Sequence, residues 1–276
     1  MSLRNILAAF NGTESAVSAM QYAAGMARGH GAHVTALLAY ATHDALNSHA
    51  AWAPREATRI IADASAEFLD GIEAQFEAQF EALRPSLELG DRLQFRRVPG
   101  RVDTVLSDCA QVHDVLVVGQ DQSAETDSHV SIHNDRIALM SGRPVLVIPK
   151  GCVERQSGHS VLAWDGGRAA ARAMADALDM LTGQTRIDVL TVGNPSLARP
   201  IDEVLQHLTR HGIEASHAER AVEKSIAETI LKYCRKHKPG TLVMGAYEHS
   251  KFREDFFGGV TARILVDAPI PILLSH

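Results

Sequence analysis

Few side chains in this 276-residue chain stand in patterns that do chemistry. His129 and His133 are four residues apart, a spacing that puts both on one face of a helix. With Asp127 or Asp135 beside them they offer the nitrogen and oxygen ligands of a divalent-metal site. No cysteine lies nearby and the glutamate of HExxH is missing, so solvated loop histidines are the commoner outcome and no metal is expected. His43 and His49 stand in another loop, and His237 and His276 read as helix-end or terminal residues, where a cation suits the helix dipole. Ser15 follows an apolar run with no base placed beside it in sequence. The GxSxG, GxxxxGK[ST] and GxGxxG signatures are absent, so no catalytic residue is expected. Gly258 and Gly259 read as a loop end that opens a helix, and Asp165 reads as an N-cap. The stretch before them, YEHSKFREDFF, is rich in charge and aromatics and suits a contact surface.

The elements that must position these residues come in two sets. ILAAFNG at 6–12 is echoed by VLAWDGG at 161–167, and a shift of 154 puts Phe10 on Trp164, Asn11 on Asp165 and Gly12 on Gly166. DVLVVGQ at 114–120 returns as GTLVMGA at 240–246, and GRPVLVIP at 142–149 as APIPILLS at 268–275. A repeat on this scale predicts two domains, residues 1–151 and 157–276, joined by a polar linker over 150–158. Strands are expected at 6–9, 34–38, 94–98, 115–118 and 145–148, and again at 161–164, 187–192, 214–218, 242–244 and 270–274. The first, fourth and fifth of each set are nearly all apolar, as buried parallel strands are. Helices are expected at 16–28, 102–112, 168–181, 201–211 and 225–237, with a long one at 54–83 in the first half alone. Strand–helix alternation predicts an α/β fold, a parallel sheet with helices on both faces. The two apolar closing strands, 145–148 and 270–274, are expected to meet at the junction, where pairing hides their edges.

Bulk composition bounds the function classes. With 46% hydrophobic and 22% charged residues the chain is ordinary for a soluble globular protein. A net charge of −6 argues against a nucleic-acid surface. No apolar run reaches the roughly 18 residues of a membrane span, so no membrane partner is expected. Cys109, Cys152 and Cys234 form no CxxC pair; Cys109 and Cys234 occupy equivalent places on apolar-faced helices and read as small core residues. A reducing cytoplasm is the expected location.

The second half resembles the universal stress protein domain, through VLAWDGGRAAARAMADAL and the final TLVMGAYEHSKFREDFFGGVTARILVDAPIPILL. The first half resembles it more weakly, through NILAAFNGTESAVSAMQYAAGMA, DVLVVG and RIALMSGRPVLVIP. The resemblance implies a tandem universal stress protein of two Rossmann-like domains, each a five-stranded parallel sheet of order 3-2-1-4-5, paired as a pseudo-dimer through their last strands. In nucleotide-binding members a glycine-rich loop after the fourth strand and an acid after the first hold the ligand. Glycines let backbone amides approach phosphate oxygens, and the next helix offers its positive N-terminus. Carried over, these places are Asp165, Gly245, Gly258 and Gly259, with Thr261 as a nearby hydroxyl. Glu248 stands where a second glycine belongs and sets a negative charge on the phosphate path, which Lys251 and Arg253 could offset. In the first half, QDQSAETDSHVSIHNDR follows Gly119 with no glycine before Gly142, and Asn11 replaces the acid. The resemblance therefore implies a cytoplasmic stress-response protein that is a non-enzymatic binding or interaction module. The alternative is an ATP or adenine-nucleotide sensor using the C-terminal domain, with slow hydrolysis. Domain pairing within the chain, a further homodimer, and an unidentified protein or small-molecule partner are the expected associations.

Overall fold

The computed structural model describes residues 3–41, 71, 73–120, 129–152, 158–180, 185–195, 197, 199–246 and 259–276. The strands of the first half are β1 (Asn5–Ala9), β2 (His33–Tyr40), β3 (Leu93–Pro99), β4 (Val115–Gly119) and β5 (Val145–Ile148). Those of the second are β6 (His159–Ala163), β7 (Arg186–Val192), β8 (Glu214–Arg220), β9 (Thr241–Gly245) and β10 (Ile272–Ser275). All ten lie in one sheet, in the order β3-β2-β1-β4-β5-β10-β9-β6-β7-β8. Pairing is parallel throughout except where β5 meets β10 antiparallel, Leu146 opposite Leu273.

The sheet is covered on both sides, and the strand pattern says why. Ile6, Ala8, Val115 and Val117 enter one buried cluster, while Leu7, Ala9, Leu116 and Val118 enter the other. Alternate residues of a strand point to opposite faces, so a strand apolar at every position needs cover on both. One face is covered by α1 (Glu14–His30), by a helix over residues 73–87 (α2), by α5 (Arg168–Met180) and by α6 (Ile201–Arg210). The other is covered by α3 (Val102–Ala110), α4 (Asn134–Met140), α7 (Ile226–His237) and α8 (Gly259–Asp267). Each cluster runs through both halves.

The sheet register corrects one detail of the repeat. Leu116 pairs with Val145, and Leu242 pairs with Ile272, so Val145 corresponds to Ile272 and Pro144 to Pro271. This lies one residue beyond the alignment of GRPVLVIP with APIPILLS. The prolines set it: Pro144 O accepts from Leu116 N at 3.1 Å, and Pro271 O from Leu242 N at 2.9 Å. Proline has no N–H for the ladder, so it stands at the entry to the strand, and β10 begins at Ile272 and not at 270. Of the long helix expected at 54–83, the part before residue 71 lies outside the described residues, as do most of the linker and the loops holding His43 and His49.

Candidate functional site

In each half, β1 or β6 ends in a tight left-handed turn, at Gly12 (φ 74°) and Gly166 (φ 81°), which leads into a helix. Both positions lie in the left-handed region, which glycine enters at no steric cost. Asn11 and Asp165 occupy the same place in the two turns. The Asp165 carboxylate accepts from Gly167 N at 2.9 Å. The Asn11 side-chain oxygen accepts from Thr13 Oγ1 at 2.8 Å. Both side chains therefore brace their own turn; for α1 the N-cap oxygen is on Thr13, which accepts from Ala16 N at 3.2 Å.

Gly245 lies at the end of β9 and corresponds to Gly119 at the end of β4. A Cβ on Gly245 would lie 2.5 Å from Ala170 N and 2.6 Å from the Ala169 carbonyl carbon. A Cβ on Gly119 would lie 2.6 Å from both the carbonyl carbon and Oγ of Ser15. In both halves the first turn of a helix rests on this glycine, so its lack of a side chain answers a packing need before any ligand is considered. The same approach brings Gly245 beside the helix that Asp165 introduces. Gly259 is exposed at the start of α8, and Thr261 is buried in that helix's first turn. Gly258, Glu248, Lys251 and Arg253 lie outside the described residues, as does Asp127.

The first-half edge is filled by its own side chains. Asn11 Nδ2 donates to Val130 O at 3.2 Å. Residues 129 and 130 are laid against the end of β2: Ala41 N donates to His129 O at 2.7 Å, and His129 Nδ1 donates to Ala41 O at 2.8 Å. The Val130 side chain is buried with Leu38 and Tyr40, and Phe76 and Phe95 pack against it. From above, α2 closes on Gly12: a Cβ there would run into the Phe76 ring and lie 2.5 Å from Gln79 Oε1. Phe10 lies beneath, 5.6 Å edge-to-face from Phe80, which stacks on Phe95 at 4.4 Å. Ser15 Oγ is committed to structure as well, donating to Gln120 O at 3.0 Å.

The histidine pair is not a helix face. His133 is the residue before α4, with Nδ1 2.9 Å from Asp103 Oδ2, whereas His129 lies in the turn upstream and bonds Ala41. Arg136 Nη1 is 3.6 Å from the same Asp103 oxygen. No group of three His, Cys, Asp or Glu gathers in metal-binding geometry among the described residues. His237 is a helix-end residue, as expected, the last of α7, but its surroundings disfavour a cation. Its ring stacks on Tyr233 at 4.0 Å, its Nε2 is buried without a partner, and burial lowers its pKa, so it is no helix-end cation at neutral pH.

A polar cluster that the sequence reading missed sits at the amino end of the second half's sheet. Asp188, buried in β7, accepts from Ser216 Oγ at 2.8 Å, Tyr233 Oη at 2.9 Å and Arg186 Nη2 at 3.0 Å, with His159 Nε2 at 3.1 Å. Burial alone would raise its pKa; the hydrogen bonds from Ser216, Tyr233, His159 and Arg186 outweigh it and hold the value at about 2. Burial, and then the bond to Asp188, push Tyr233 up to about 12. The sheet register puts Thr35 at the equivalent place in the first half. The one signal in the sequence was an aspartate inside the apolar run IDVLTV.

Residues 159–276 match the sequence model of the Universal stress protein family. A universal stress protein of Synechocystis sp. (strain ATCC 27184 / PCC 6803 / Kazusa) is 28% identical over 182 residues, 61% of this chain. That alignment spans 60% of the relative's length. Among solved structures, a universal stress protein from Archaeoglobus fulgidus DSM 4304 superposes with a TM-score of 0.65 at 13% identity, covering 99% of this chain and 96% of that one. A protein of unknown function from Pseudomonas aeruginosa PAO1 does so with a TM-score of 0.55 at 11% identity, covering 99% and 92%. The C-terminal segment is thus a universal stress protein family domain, and the whole chain has the mostly parallel α/β fold of these structures. No helix among the described residues is long and apolar enough to cross a membrane.

Proposed function

We propose that this chain is a tandem universal stress protein of the cytoplasm, with domains at 1–151 and 157–276 paired as a fused dimer through β5 and β10. It acts as a non-enzymatic binding module whose ligand capacity is confined to the C-terminal half. One observation carries the reading. At equivalent places after β1 and β6, Asn11 spends its amide on Val130 O under a lid of Phe76 and Gln79, whereas Asp165 keeps a carboxylate at a turn outside that lid. A phosphate or nucleoside entering the first half would have to displace a packed aromatic cluster, and would meet an amide where the family has an acid.

The second reading names the ligand: ATP or another adenine nucleotide, held in the C-terminal half by Asp165 and the amides from Gly259, with slow hydrolysis at most. The retained acid and the glycines Gly245 and Gly259 favour it. Purified protein taken directly from cells tests it. Heat denaturation followed by mass spectrometry of the supernatant is expected to release an adenine nucleotide in amounts approaching one per chain. Protein that releases none, and that gives no heat with ATP, carries only the interaction role.

A further inference from the structure

We infer that Gln120, in the first half, positions the last helix of the second half, and with it Gly259 and Thr261 at that helix's start. This rests on the reading above for its link to a ligand, but its structural part stands alone. The side-chain Nε2 of Gln120 lies 2.7 Å from Leu265 O, 2.9 Å from Val266 O and 3.4 Å from Ala268 O. An amide has two hydrogens, so the first two carbonyls take them and the third is a secondary acceptor. These oxygens are among those that the end of a helix leaves without an intrahelical partner; Ile264 O is already used by Ala268 N at 2.9 Å. The cap for α8 therefore comes from the other half of the chain.

Gln120 is itself held at its backbone. Its N–H donates to Ile148 O at 2.8 Å, and its carbonyl accepts from Ser15 Oγ at 3.0 Å. The path runs from the first turn of α1, across the end of β4, to the end of α8. Among the described residues the second half has no counterpart. Ala246 stands at the equivalent position with no side chain to reach across, and α4 ends locally, with Ser141 N donating to Ile137 O and Ser141 Oγ to Arg143 O. Among the described residues the clasp runs one way, from Gln120 of the first half to the end of α8 in the second. A nine-residue helix moves as a unit when its end is released, so the first turn should register the loss.

The test uses the full chain and its Gln120→Ala and Gln120→Lys variants. Amide hydrogen exchange is read at Ala262–Ile264, the first N–H groups bonded within the helix, and in the last turn of α8, and ATP affinity is read by calorimetry. Gln120→Ala is expected to speed exchange in both turns by about threefold to tenfold and to weaken ATP binding by a similar factor, the worth of one or two hydrogen bonds. Lysine is a donor that suits a helix C-terminus, so Gln120→Lys is expected to restore both. Faster exchange confined to the last turn, or no change, would overturn the inference, as would unchanged ATP affinity in a wild type that binds ATP. If the wild type binds no ATP, the nucleotide reading fails by itself and the exchange at Ala262–Ile264 decides the positioning.

Discussion

Asn11 and Asp165 show how one atom changes the use of a site. Asn11 has a donor to give Val130 O and an acceptor for Thr13, whereas an ionised aspartate could only accept. Asn11→Asp should therefore cost about 1–3 kcal/mol, read from the urea midpoint, while Asp165→Asn keeps its acceptor and should cost little. Equal losses at the two positions would show that the Val130 contact contributes nothing. Asp188 is a larger stake. Removing one member of a buried, hydrogen-bonded charge cluster strands the rest, so Asp188→Ala should cost about 3–5 kcal/mol. Its folded pKa is below the unfolded value, so its stabilisation is present above about pH 4 and lost as pH falls to about 2. His113 and His237 work in the opposite sense of charge. Burial lowers both pKa values, the unfolded chain binds the proton more readily, and stability falls as pH drops through about 6.5. The urea midpoint should be lower at pH 5.5 than at 7.5, and His237→Phe should narrow the gap. A midpoint flat between those values would contradict the assignment of neutral buried imidazoles.

At the scale of elements, the strands were legible because buried parallel strands leave an unmistakable apolar run, as in LVV within β4 and LVM within β9. Two helix starts differ from the expected 16 and 225: α1 begins at Glu14 and α7 at Ile226, because the hydroxyls of Thr13 and Ser225 cap them, accepting from Ala16 and Glu228. Other features were not legible, for stated reasons. The apolar face of α2 could be read from Phe76 and Leu83, but not that it closes on Gly12, because a helix pattern names a face and not its partner. The loop before α4 reads as polar and open, yet Val130 is its anchor. Asp188 is a single letter in a strand, and apart from Arg186 in the same strand its partners come from three other elements. Gly245 was read as a phosphate-loop glycine, and the close approach of α5 shows that packing requires it in any case. Gly119→Ala and Gly245→Ala should therefore each destabilise by about 1–3 kcal/mol without any ligand, since the new methyl meets helix backbone in both halves. Thermal melts of the unliganded variants check this; a neutral Gly245→Ala beside a damaging Gly119→Ala would restore a purely ligand-related reason for Gly245.

At the scale of the molecule, the strand order of the ten-stranded sheet runs outward from the antiparallel β5–β10 contact in the same sequence in both halves, and the side chains of the described residues depart from that likeness three times. Phe76, Gln79 and Val130 fill one edge, Asp188 gathers its cluster in the other half only, and Gln120 reaches across in one direction. The repeat made that likeness readable from sequence, and these departures mark where the two halves differ. The central claim is that only the C-terminal half binds ligand. Calorimetric titration of ATP into the full chain, its Asn11→Ala variant and its Asp165→Ala variant tests it most directly. The account predicts one site per chain, kept by Asn11→Ala and weakened at least about tenfold by Asp165→Ala, the loss of one or more ligand hydrogen bonds. Two sites per chain, or one site that survives Asp165→Ala and disappears with Asn11→Ala, would contradict it.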